Sequence, residues 1–223
     1  MSVLAFPQAV VSLLILAVGF GVFSLSPNAS PKLCDPSDAI CARWGSAALS
    51  RSRAYEGSGA QMERFLKKVR AGKHVRIGVI GGSISACVDS SEEACYVRRM
   101  EVQLRREFAR FGATVDVLDG AISAVGSDFF SACWPSAFVE ELDLAVLELA
   151  VNDVDTGKEN RPFDELLRSL FERPSKPSVL ILNMWSPLFG WSNGAPGIEN
   201  LAQYYDLPVI SSVCPFGFDS ALS

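Results

Sequence analysis

Helix-like and strand-like segments alternate along this chain from residue 61 to residue 210, and nothing else in the sequence restricts the fold as much. Gln61 to Ala71 places Met62, Phe65, Leu66 and Val69 at helical spacing, and Gly72 ends the segment. Val75 to Ile80 is then a short β-branched run stopped by Gly81 and Gly82. Tyr96 to Phe111 predicts an amphipathic, Arg-rich helix ended by Gly112, and Thr114 to Leu118 a second strand. The pattern continues with a helix over Asp128 to Glu141, a buried strand over Leu142 to Val151 and a helix over Pro162 to Phe171. A fourth strand follows at Val179 to Met184, a short helix at Ile198 to Tyr205, and a fifth strand starting at Pro208 to Ile210. Strands separated by helices predict a parallel sheet with right-handed crossovers and helices on both faces, an α/β/α sandwich of about five strands. In such sheets ligands bind beyond the carboxyl ends of the strands, so polar residues there are the first candidates for function.

The chain before residue 60 differs in kind. Val3 to Leu25 holds no charged residue, and Ala9 to Phe23 is almost continuously apolar. A cleaved secretory signal and an uncleaved signal anchor over 1–25 both fit, and the sequence leaves them open. Pro27 disfavours cleavage after the Ser24-Leu25-Ser26 stretch, and the first residues carry no Lys or Arg. Either reading places the remainder in the secretory pathway, secreted or membrane-anchored through residues 3–25 with a luminal or extracellular domain. Asn28-Ala29-Ser30 is then a glycosylation acceptor, disfavoured by Pro31. Residues 26–59, rich in Ser, Ala, Pro and Arg, read as a stalk, and 60–223 as the domain.

Six cysteines suit that compartment. Cys34 and Cys41 bracket one short loop and Cys87 and Cys95 another, and both pairs are candidate disulfides; Cys133, in a helical stretch, reads as a buried free thiol. Zinc needs closely spaced Cys pairs and several histidines, which this chain lacks, and nothing else in the sequence implies a metal or organic cofactor. A net charge of −5 without a basic stripe is unsuited to gripping phosphates, which argues against a nucleic-acid partner.

Three strand ends carry polar groups. The first strand runs into Gly81-Gly82-Ser83-Ile84-Ser85, where glycines let the backbone turn sharply and lift a hydroxyl into the cleft. A turn in which Ser83 only caps a helix is the plainer reading of that pentapeptide. A phosphate loop is disfavoured, because no GK[ST] follows and Asp89, Glu92 and Glu93 would repel phosphate. The second strand runs into Asp119 to Ser127, and the third into Ala150-Val151-Asn152-Asp153. There an Asn side chain can aim an N–H at a developing oxyanion while Asp153 steadies the loop.

On these motifs the chain resembles the SGNH-hydrolase superfamily, also called GDSL-type esterases, over about Lys73 to Ser212. Gly81-Gly82-Ser83-Ile84-Ser85 matches its first block, with Gly82 where many members carry Asp, and Asn152 matches its third, with Ala150 where Gly is usual. A fungal and algal branch with GGSIS-type and VND-type motifs is the nearest likeness. The resemblance implies a flavodoxin-like fold and makes Ser83 the nucleophile. Its oxyanion donors would be the N–H of Ser83, the N–H of Ala124 and the Asn152 side chain. Gly82 and Asp153 support the site. Ala124 stands where the second block has Gly, which a positive φ there would strain.

The same family carries Asp-x-x-His near its C-terminus as the general base, and no such block occurs here. The single histidine, His74, precedes the first strand, about 20 Å of extended chain from Ser83. A C-terminally incomplete enzyme is one explanation and a non-catalytic descendant the other. The chain alone is therefore expected to hydrolyse esters barely above background, since a serine hydroxyl without a base is a feeble nucleophile. The implied substrate is an acyl ester, a carbohydrate O-acyl ester above others. The rival function is a catalytically inactive glycan-binding module, with Trp185, Trp191 and Asn193 on the loop after the fourth strand as a sugar platform, although packing beneath that loop is the plainer reading of the tryptophans.

Overall fold

In the computed structural model, residues 39–153, 160–185 and 194–212 are described, and the 1–25 segment, Cys34, the Cys41 side chain, Trp191 and Asn193 lie outside them. The elements run α1 (Ala39–Ser52), β1 (Arg53–Tyr55), α2 (Ala60–Arg70), β2 (His74–Gly81), α3 (Tyr96–Ala109) and β3 (Thr114–Asp119). They continue with α4 (Ser127–Cys133), a 3-10 turn (Trp134–Ala137), β4 (Leu144–Glu148), α5 (Arg161–Phe171), β5 (Ser178–Asn183), α6 (Ala195–Tyr205) and β6 (Val209–Ser211). The sheet order is β1-β6-β5-β4-β2-β3, parallel throughout except for the antiparallel β1–β6 pair. Among the five parallel strands the order reverses between β2 and β4. That is the switch point at which α/β sheets open a crevice.

Side chains along β4 divide the core. Leu144 and Val146 face α2 and α3, joining Phe65, Val97, Met100 and Leu104. Ala145 and Leu147 face the other way, onto Phe130, Trp134, Phe163, Leu166 and Ile198 from α4, the 3-10 turn, α5 and α6. Both faces of the strand are covered, which explains an unbroken apolar run in place of alternation. Each fully buried Leu or Phe side chain in these layers is worth about 2–3 kcal/mol of apolar burial.

Three expectations need correction. Residues 39–59 are not a stalk: α1, kinked at Gly45, buries Ala48 and Leu49, and β1 covers what would otherwise be the free edge of β6. Ser58 fastens that segment to the domain by donating its N–H to Asp206 Oδ1 at 2.7 Å. The helix expected over Asp128 to Glu141 stops at Cys133 and tightens into the 3-10 turn, where Pro135 has no N–H to continue an α-helix. The strand expected over Leu142 to Val151 ends at Glu148, because Asn152 and Asp153 both return their N–H groups to the Leu149 carbonyl, at 3.0 and 2.9 Å. Among the described residues no helix is long and apolar enough to cross a membrane.

Candidate active site

Ser83 stands two residues past the end of β2, half-buried, at the start of a run of turns rather than a helix. Ala86 N–H donates to the Gly82 carbonyl at 2.9 Å and Val88 N–H to the Ser83 carbonyl at 3.1 Å, so the loop is closed on itself. Gly81 pairs across the sheet with Glu148, and a Cβ on Gly81 would collide with the Ser85 side chain. A Cβ on Gly82 would occupy the position of Asn152 Oδ1. A side chain at position 82 is therefore excluded: the Asn152 amide is packed directly against the backbone preceding Ser83.

Three loops meet at this carboxyl edge. Ile122 donates its N–H to the Gly81 carbonyl at 2.9 Å, joining the loop after β3 to the end of β2. The Asp153 carboxylate accepts the Ser127 N–H at 2.7 Å and also faces Asn160 Nδ2 at 3.5 Å. It fits only because Gly126 and Gly194 lack side chains, since a Cβ on either would come within 2.6 Å of Asp153 atoms. Burial raises the Asp153 carboxyl above its ordinary value, against the Ser127 N–H that stabilises its charge, and Asp128 adds to the rise. Asp153 thus ties the Asn152 loop to the start of α4.

Ala124 lies in the same cluster, between the Ile122 contact to β2 and the Gly126 contact to Asn152 and Asp153. Its φ is +60°, in the left-handed region, where an alanine is strained by about 1–2 kcal/mol. The backbone geometry at this position is one that favours glycine.

Beneath the Ser83 turn lies a group that sequence reasoning missed. Glu148, the last residue of β4, is fully buried on the α3 side of the sheet, in register with Leu144 and Val146. Its Oε2 is 2.8 Å from Ser85 Oγ, which is 2.6 Å from Tyr96 Oη at the start of α3. Burial pushes the Glu148 carboxyl from 4.5 to about 8, while the Ser85 hydroxyl and the N–H groups of Ser85 and Gly82 pull it down and Asp153 pushes it further up. The signal was present as a lone carboxyl inside the apolar run LDLAVLELAV. A buried acid there is costly unless neutral or partnered.

Cys87 and Cys95 form a disulfide with Cα atoms 5.3 Å apart, closing the loop after Ser83 immediately before Tyr96. Cys133 is a free thiol, half-buried rather than buried. His74 is at the opposite end of β2 from Ser83, with Nδ1 2.8 Å from Thr114 Oγ1 and Nε2 3.4 Å from Asp116 Oδ2. Trp185, half-buried, donates its backbone N–H to Ser212 Oγ at 2.9 Å.

No family model matches the sequence, and no curated protein does. Solved structures do match. The two-domain esterase CEX, active on acetylated mannans, superposes with a TM-score of 0.67 at 22% identity over 74% of this chain and 44% of that one. Its form co-crystallized with mannopentaose gives a TM-score of 0.66 at 22% identity over 74% and 45%. AlinE4, an SGNH-hydrolase family esterase, gives 0.51 at 18% identity over 67% of this chain and 82% of that one. The chain thus spans less than half the length of CEX. What these likenesses share with the sheet order and with a serine loop at its switch point is backbone architecture, and by that architecture the chain has the fold of the SGNH-hydrolase esterases.

Proposed function

We propose that this chain is the nucleophile-bearing domain of a serine ester hydrolase or acyltransferase acting on acyl esters, with carbohydrate O-acyl esters as the substrate class. The observation that carries the reading is the packing of the Asn152 amide on Gly82, beside Ser83, at the switch point of the sheet. In this mechanism Ser83 Oγ attacks the acyl carbonyl carbon and its proton passes to a base. The negative charge that develops on the carbonyl oxygen is taken by the N–H groups of Ser83 and Ala124 and by the Asn152 amide. Collapse breaks the acyl–oxygen bond, the sugar hydroxyl leaves with a proton, and water or a second alcohol then takes the acyl group from Ser83.

The base is the part for which this sequence offers no candidate histidine, since His74 sits at the far end of β2. A segment carrying Asp-x-x-His, appended from a full-length relative, supplies it. The extended protein should hydrolyse p-nitrophenyl acetate and release acetate from O-acetylated mannan orders of magnitude faster than the chain alone. Ser83→Ala should erase that gain without unfolding the domain. Hydrolysis by the extended protein that survives Ser83→Ala would sink the reading. The missing histidine equally supports a glycan-binding module without turnover, and that reading gains if acetylated mannan binds the chain while the extended protein remains inactive.

A further inference from the structure

Glu148 has no part in the chemistry just proposed, yet it is fully buried directly under the loop that performs it. Its Oε2 meets Ser85 Oγ, its own backbone carbonyl accepts the Gly82 N–H at 3.3 Å, and its Oε1 has no partner among the described residues. An ionised carboxylate with one oxygen buried and unpartnered would be expensive. A neutral carboxyl that donates its proton to Ser85 Oγ leaves only a carbonyl-type oxygen unpartnered, and Ser85 then donates to Tyr96. Gly82 and Ser85 flank Ser83, so both attachments of Glu148 fall on the nucleophile's neighbours. Tyr96 in turn follows Cys95, whose disulfide to Cys87 joins the far side of the same loop.

We propose that Glu148 is the positioning residue of the Ser83 loop, clamping the turn from beneath through Ser85 while Tyr96, tethered by the Cys87–Cys95 disulfide, closes it from the side. The proposal deepens the esterase reading and rests on it for the role of Ser83. The groups that face Glu148 are the Tyr96 phenol from α3 and the Asp153 carboxylate from the loop after β4, with Asp119 at the end of β3 acting on Tyr96. None of them is a cation, so ionisation of Glu148 would place a second negative charge near Asp153, opposed only by the Ser85 hydroxyl and the N–H groups of Ser85 and Gly82. A loop held by the neutral acid must therefore loosen as pH rises through about 8.

Hydrogen exchange at the Ala86 and Val88 amides, which close the loop onto Gly82 and Ser83, reads this directly in the native chain. After correction for intrinsic rates, their protection in the unmodified chain should fall about tenfold or more from about pH 6 to about pH 9. Glu148→Gln, which keeps a donor and an acceptor, should stay within about threefold of wild type at the lower pH and show no such fall. Glu148→Ala should lose about tenfold at these amides at the lower pH, beyond any loss shared with the amides of β5. Identical pH profiles for wild type and Glu148→Gln would overturn the proposal, and so would a Glu148→Gln variant as loose as Glu148→Ala. If Glu148→Ala does not fold, the comparison of wild type with Glu148→Gln decides alone. The readout does not depend on turnover: Ser83→Ala should leave it unchanged, so failure of the clamp and failure of the esterase reading are separate results.

Discussion

The two ends of β2 carry polar clusters of similar size and opposite character. At the amino end His74 meets Thr114 and Asp116, and Lys68 reaches Asp143 at 2.5 Å; His74, Asp116 and Lys68 are largely exposed. At the carboxyl end Ser85, Glu148 and Asp153 are buried: Ser85 bonds to Glu148 and Tyr96, and Asp153 accepts the Ser127 backbone N–H. Charge at the exposed end is solvated and screened, so it stabilises little and restricts nothing. Burial at the other end makes every group depend on its partner, because an unpaired polar atom there costs far more than a surface pair contributes. The only histidine lies in the permissive cluster, and the serine loop is built on the strict one.

If that contrast is right, substitutions should separate by end. Glu148→Ala should have the largest effect, lowering stability by about 3 kcal/mol, because it empties a packed site and removes one partner of the buried Ser85 hydroxyl; a urea titration measures it. The same carboxyl sets a pH dependence. With its folded value raised to about 8 from 4.5, its contribution is fully present below 4.5 and is lost as pH rises through about 8. Gly82→Ala comes next, at about 2 kcal/mol, since its methyl group must displace the Asn152 amide. Ala124→Gly should go the other way by up to about 1 kcal/mol, by releasing an alanine from the left-handed region. Asp116→Ala at the amino end should stay within about 0.5 kcal/mol. An Asp116→Ala loss as large as that of Gly82→Ala would erase the distinction between the two ends.

Much of this architecture could be read from the residues. The five parallel strands followed from runs such as VRIGVI and VLILNM separated by helical spacing, and the serine, asparagine and aspartate loops followed from their positions at strand ends. What escaped has physical reasons. The edge strand Arg53–Tyr55 is three residues long and gains its form only by pairing with β6, so no local pattern announces it. The shortening of the expected helix at Cys133 traces to Pro135, a visible signal outweighed by the flanking hydrophobic spacing. Glu148 was hidden because a run of buried residues does not say which side of the sheet its one acid faces or that Ser85 and Tyr96 wait there. The positive φ at Ala124 was posed by the missing glycine and could only be answered in three dimensions.

The proposal that the Ser83 and Asn152 loops form one oxyanion site is tested most directly by Asn152→Ala in the protein extended with an Asp-x-x-His segment. If the Asn152 amide stabilises charge only in the transition state, kcat for p-nitrophenyl acetate should fall by about 10² to 10³ with KM nearly unchanged. A KM rise at constant kcat, or no effect at all, would contradict the assignment and return Asn152 to a structural role against Gly82.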